Sequence, residues 1–118
     1  AGGTYVMPRT MGFAKAMGAS LFAEKISAVD AAASGLIWEA VPDSSFEETW
    51  RARAAQLANG PTVAYQNVKK ALRESLGNTL DEQLALEARL QKECGQTRDF
   101  AEGVLAFTEK RAANFEGR

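Results

Sequence analysis

A mainly α chain, interrupted by one short strand, is the fold class that this sequence predicts. Three observations lead there. Apolar residues recur three and four positions apart along most of the 118 residues. These stretches begin with capping residues and end at Gly, Asn or Pro. Only one stretch, Leu36 to Val41, reads as a strand, and Pro42 ends it.

Taken in order, Gly2, Gly3 and Thr4 open a first short segment, and Pro8 suits either the first turn of a helix or the end of a turn. From Met11 to Phe22, Phe13, Ala14, Met17, Gly18 and Leu21 share one face at helical spacing. Small residues make this helix thin, so close packing against a neighbour is expected. Ser27 with Asp30 is an N-cap signal, and Gly35 is a natural C-cap. The strand at Leu36–Val41 has no partner in this chain, so a partner is expected outside it. Ser45 to Glu48 reads as a capping box before a helix that carries Phe46, Trp50, Ala54 and Leu57. Asn59-Gly60 ends that helix, and Pro61 takes the first position of the next, which runs to about Leu76. Thr79 to Glu82 is a second capping box, starting a helix that reaches Cys94, with Gly95 as the break. Thr97 to Asp99 caps a last helix with Phe100, Val104 and Phe107 on one stripe, and Phe115 anchors the tail.

Composition narrows the function. With 46% hydrophobic and 25% charged residues, the chain is globular and at most one domain. A formal net charge of -1 speaks against nucleic-acid binding and against an acidic disordered tail. No apolar run approaches 18 residues, so no membrane span is expected. No secretory leader is visible, and the single Cys94 fits a reducing compartment, so a cytoplasmic location is expected. The absence of His removes Ser-His-Asp triads, Cys-His dyads and His-based zinc sites, and no metal site is expected. The chain opens inside a glycine-rich turn without Met and is read as a piece of a longer protein.

The faces of the helices carry the remaining signal. Between Leu80 and Cys94, the residues Leu80, Leu84, Leu86, Ala88, Leu90 and Cys94 spread over about half the circumference. Burial on two sides is expected, against the same subunit and a second one, or within one larger subunit. Glu87 lies inside this arc and needs a partner. It reads either as a catalytic or ligand-binding acid, or as an interface carboxylate paired with an Arg or with backbone N–H groups. Leu84, Glu87 and Leu90 are named as interface residues, together with Gly103, which lies on the stripe side of the last helix and would let another backbone approach. Lys69, Lys70 and Arg73 form either a solvated face or a contact for an anionic ligand. Lys110-Arg111 opposes a helix dipole or serves a ligand.

Four segments in order resemble the crotonase, or enoyl-CoA hydratase/isomerase, superfamily across essentially the whole chain. They are AGGTYVMPRTMG, KISAVDAAASGLIWEAVPD, ANGPTVAYQNVKKAL and DFAEGVLAFTEKRAANF, the last being the most specific. GLIWEAVPD and NTLDEQLALEARLQKECGQTRDFAEGV are most similar to the branch that isomerises the ring-epoxide of phenylacetyl-CoA to an oxepin thioester. General enoyl-CoA hydratases and Δ3,Δ2-enoyl-CoA isomerases of fatty-acid oxidation are alternatives, as is a non-catalytic helical oligomerisation module. The resemblance implies an α/β spiral fold whose end is residues 1–43, followed by a helical trimerisation region at 44–118. It implies an acyl-CoA thioester substrate, no cofactor beyond the coenzyme A of that substrate, and a homotrimer or dimer of trimers. Gly2, Gly3 and Thr4 become the active-site rim. Lys110 becomes a residue that reaches the nucleotide end of coenzyme A in a neighbouring subunit. Gln91 stands near a position where some members place an aromatic in the adenine pocket. The oxyanion-hole donors and catalytic acids of the family fall before Ala1, so no catalytic residue is assigned here and the chain alone is expected to be inactive.

Overall fold

The computed structural model describes residues 2–118, which form seven helices and, among the described residues, no strand. They fall into two compact units, one ending at Thr49 and the other comprising Trp50–Arg118.

In the first unit, α1 (Gly3–Thr10) starts from Gly2, whose left-handed backbone (φ 94°) suits a residue without Cβ. Pro8 lies inside α1, beyond the first turn where the sequence pattern would tolerate it. Its missing N–H matters little in so short a helix, which ends two residues later. Gly12 (φ 82°) reverses the chain into α2 (Phe13–Phe22), which packs against α1 with Ala16 buried. Of the small residues of α2, Ala16 is the one buried. α3 (Ala28–Ala33) is capped as the sequence indicates: the Ser27 hydroxyl oxygen accepts from the Asp30 N–H at 3.1 Å. Gly35 (φ 80°) closes α3, with its own N–H on the Ala32 carbonyl and the Leu36 N–H on the Ala31 carbonyl. That bond pair is a Schellman motif.

The Schellman turn also explains why the strand expected at Leu36–Val41 does not form. The Leu36 and Ile37 N–H groups both turn back to Ala31, at 2.9 and 3.3 Å. Residues 36–38 bend, and 39–42 are irregular. A ladder needs a second strand to share its backbone groups, and none exists among the described residues. Trp38, at the centre of the segment, is 90% exposed.

Helix α4 (Asp43–Ala58) begins two residues before Ser45, so the expected capping box is not made. Pro42 has no N–H to orphan, and its carbonyl becomes an early acceptor for the Ser45 N–H and hydroxyl, at 3.0 and 3.2 Å. Ser45 therefore donates inside the helix instead of accepting at its start.

In the second unit, Pro61 is the N-cap of α5 (Thr62–Glu74), one position before the expected place. Gly60 is buried beneath Tyr65, and a Cβ there would overlap the phenol. α6 (Leu80–Gly95) starts with the complete capping box: Thr79 accepts from the Glu82 N–H, and Glu82 accepts from the Thr79 N–H at 2.8 Å. The Thr79 backbone and hydroxyl hold the Glu82 carboxyl below its ordinary range. Gly95 does not break this helix. Its backbone stays helical, and the chain turns at Gln96 and Thr97, whose N–H groups go back to Glu93 and Cys94. Thr97 then caps α7 (Arg98–Glu109) by accepting from the Phe100 N–H at 3.1 Å.

Leu86, Leu90 and Ala106 are buried in this unit, 4% exposed or less. Amide side chains join α5 to α6 beside them. Asn67 Nδ2 donates to the Leu90 carbonyl at 3.2 Å, and Gln83 Nε2 to the Ala71 carbonyl at 3.3 Å.

Candidate functional site

At the end of α7 the chain reverses sharply and runs back along the helix that it has just left. Lys110 is the corner. It is one of two non-glycine residues with positive φ among those described, at φ 55° and ψ 38°. A side chain in this region costs roughly 1–2 kcal/mol relative to the right-handed one, and such strain persists where its surroundings impose it. The Lys110 N–H reaches the Phe107 carbonyl at 3.3 Å, and the Arg111 N–H reaches Ala106 at 3.0 Å.

Two carboxylates of α7, three residues apart and so on one face, hold the returning tail. Glu102 takes Arg111 in a fork, Oε1 to Nη1 at 2.6 Å and Oε2 to Nη2 at 2.9 Å. Its Oε1 also accepts the Asn114 N–H at 2.7 Å. The Arg111 guanidinium, and then the Asn114 N–H, hold the Glu102 carboxyl down to about 2. Glu109 receives Arg111 Nε at 2.6 Å, and the two acids together raise the Arg111 pKa. Farther back, buried Asp99 accepts the Glu116 and Gly117 N–H groups at 2.7 and 2.9 Å, and its own N–H goes to the Arg118 carbonyl.

The tail brings Phe115 against α7, its ring 3.6 Å from where a Cβ of Gly103 would stand. Phe115 also lines an apolar groove of about 390 Å³, with Val63 and Ala64 of α5 and Phe100, Val104 and Phe107 of α7. Phe107 is 87% exposed.

The residues singled out in the sequence separate in space. Gly2, Gly3 and Thr4 form the N-terminal turn of α1, with Gly2 the one whose backbone requires glycine. Thr4 lines a small groove with Met7, Pro8, Phe13, Ala16 and Met17. The wide apolar arc of α6 divides: Leu86 and Leu90 are buried within the unit, while Leu80 and Leu84 are exposed. Leu90 therefore offers no surface to a second copy, and Leu84 does. Glu87 is exposed and accepts from Gln83 Nε2 at 3.2 Å, which relieves it of the buried position the sequence pattern suggests. Gly103 admits the Phe115 ring of its own tail, the approach expected of another backbone. Lys69, Lys70 and Arg73 share a shallow polar patch on α5. Among the described residues no cluster of His, Cys, Asp or Glu could hold a metal ion, and no helix is long and apolar enough to cross a membrane.

The family model described as enoyl-CoA hydratase/isomerase matches residues 1–118. The chain belongs to that family. Among curated relatives, a "probable enoyl-CoA hydratase" of Rhodobacter capsulatus is 63% identical over 118 residues, covering 100% of this chain and 46% of that protein. The 1,2-epoxyphenylacetyl-CoA isomerase of Escherichia coli is 40% identical over 117 residues, covering 99% of this chain and 45% of the relative. The solved structure of an enoyl-CoA hydratase from Geobacillus kaustophilus superposes with a TM-score of 0.91 at 32% identity, covering 99% of this chain and 44% of that one. The chain thus spans about half the length of the relatives it matches.

Of the features at the α7 corner, the pairing of Asp99 and Glu102 with the tail is not among those that the sequence pattern singles out. Both partners of the Glu102–Arg111 pair stand in the DFAEGVLAFTEKR segment that resembles this enoyl-CoA hydratase/isomerase family most specifically. The signal that could have found the clamp is the i, i+3 spacing of Asp99 and Glu102 ahead of a short, Asn-containing tail.

Proposed function

We propose that the chain is the C-terminal part of an enzyme that acts on coenzyme A thioesters, isomerising the ring-epoxide of phenylacetyl-CoA. The observation that carries the thioester reading is the agreement in fold and sequence over the whole chain with enoyl-CoA hydratases and isomerases. The epoxide branch is supported by the 40% identity to the isomerase of that name. A second reading, hydration of an enoyl-CoA, has the support of the 63% identical relative. A non-catalytic helical oligomerisation module is the third.

In the favoured reading the groups that polarise the thioester carbonyl and move protons lie outside this chain. The α1 turn at Gly2–Thr4 forms the rim of the site, and Lys110 at the α7 corner reaches the nucleotide phosphates, where an ammonium is a mobile point charge. Among the described residues this ammonium has no ion-pair partner. The reaction needs no cofactor beyond coenzyme A itself. The exposed edge of α6 at Leu84, with Glu87 beside it, faces a second copy in a trimer or dimer of trimers, in the cytoplasm.

The test is turnover by the full-length protein on two substrates, a trans-2-enoyl-CoA and the phenylacetyl-CoA ring-epoxide. A higher kcat/KM on the epoxide supports the first reading, and a preference for the enoyl thioester replaces it with the second. Turnover of neither substrate refutes both. The isolated chain turns over neither.

A further inference from the structure

We propose that Glu102 is a positioning residue for the coenzyme A nucleotide: by gripping Arg111 and the Asn114 N–H, it fixes the strained corner from which Lys110 projects. The inference rests on the Lys110 reading given above and extends it to residues that touch no substrate.

Three observations carry it. Lys110 is exposed and holds a left-handed backbone at a helix end, a place where glycine or asparagine would sit without strain. The chain on its far side is tied down by Glu102 through the two terminal guanidinium nitrogens of Arg111 and through a backbone N–H, and by Asp99 through two more N–H groups. The tail is thereby drawn back along α7, and the reversal has to occur at residue 110. Finally, Arg111 engages both nearby acids, Glu102 and Glu109. Among the described residues no acid pairs with the Lys110 ammonium, which stays available for an external anion. A planar guanidinium can occupy both carboxylates at once, as a lysine ammonium at position 111 could not with the same fork.

The corner thus separates two tasks between adjacent cations. Arg111 is spent on holding the turn, and Lys110 is presented by it. Without the Glu102 grip, the tail from Ala112 to Asn114 loses its first anchor, and Lys110 can relax from the left-handed region. Its ammonium then samples a wider volume, and the phosphate contact weakens while the reacting end of the substrate is untouched.

The experiment compares KM and kcat of the full-length protein on an acyl-CoA and on the same acyl group carried by pantetheine, which lacks the nucleotide phosphates. Lys110→Ala is expected to raise KM for the coenzyme A thioester by up to about fivefold, the range of an exposed ion pair, and to leave the pantetheine thioester at its parent value. Glu102→Ala is expected to reproduce that pattern with kcat retained, and Lys110→Ala/Glu102→Ala to be no worse than Lys110→Ala alone. Glu102→Gln, which keeps an oxygen on the Asn114 N–H, gives an intermediate rise, and it decides the matter if the alanine variant does not fold. A parent-like KM for both Glu102 variants alongside a raised KM for Lys110→Ala overturns the positioning role and leaves the Lys110 reading intact. An equal rise on both thioesters marks Glu102 as merely structural and also overturns it. A parent-like KM for Lys110→Ala overturns the Lys110 reading and this inference with it.

Discussion

Truncating Leu90 to alanine separates a residue of this chain's own core from one at a subunit contact. Leu90 is 4% exposed, on the side of α6 that faces its own unit, and the Asn67 amide binds its carbonyl. Leu90→Ala removes three carbon groups at about 0.8 kcal/mol each, or about 2.4 kcal/mol of transfer free energy. The unfilled space adds to this, and Leu→Ala changes at such sites cost about 2–5 kcal/mol. We expect about 3 kcal/mol here, since the helices on either side can relax only partly. Leu84 is 53% exposed, so within the chain Leu84→Ala should cost under about 1 kcal/mol. The assay is denaturant unfolding of the full-length protein at several protein concentrations. The Leu90→Ala loss should be the same at each concentration. A Leu84→Ala loss should appear only if that edge is covered by a second copy, and it should then depend on concentration. A Leu90→Ala variant within about 1 kcal/mol of its parent would refute the placement of Leu90 in the core.

Three further outcomes follow from particular contacts. Gly35→Ala puts a Cβ 2.9 Å from the Thr10 carbonyl oxygen at φ 80°; the backbone conformation alone costs about 1–2 kcal/mol, and hydrogen exchange of α3 should accelerate. Thr79→Ala removes the hydroxyl half of the α6 capping box and should cost about 1 kcal/mol in the same unfolding assay. Glu102 has a depressed folded-state pKa of about 2 against an ordinary 4.5. Its contribution to stability is therefore present above pH about 4.5 and declines as pH falls through about 2; protection of the Asn114 amide, corrected for the intrinsic pH dependence of exchange, should fall over that interval, and constant protection would contradict the clamp.

The sequence alone determined the helices that carry their own local instructions. Ser27 and Asp30, Gly35, the Thr79–Glu82 box and Thr97 each act within a few residues, and each does in space what its spacing indicates. The family, too, was legible, because four segments in order persist through the chain. The errors fell where a local signal met a choice made elsewhere. Leu36–Val41 has the composition of a strand, but a strand exists only when another backbone takes its hydrogen bonds, and the Schellman turn at Gly35 took two of them first. Ser45 resembles a cap until Pro42 supplies an earlier start. Tertiary structure also decided which half of the α6 arc is buried, because a period of 3.6 residues marks a face as apolar without saying what covers it. Most of all it decided the α7 corner. Glu102 and Arg111 are nine residues apart, a separation with no helical or strand meaning, and they meet because the chain reverses at Lys110 and the tail folds back along its own helix.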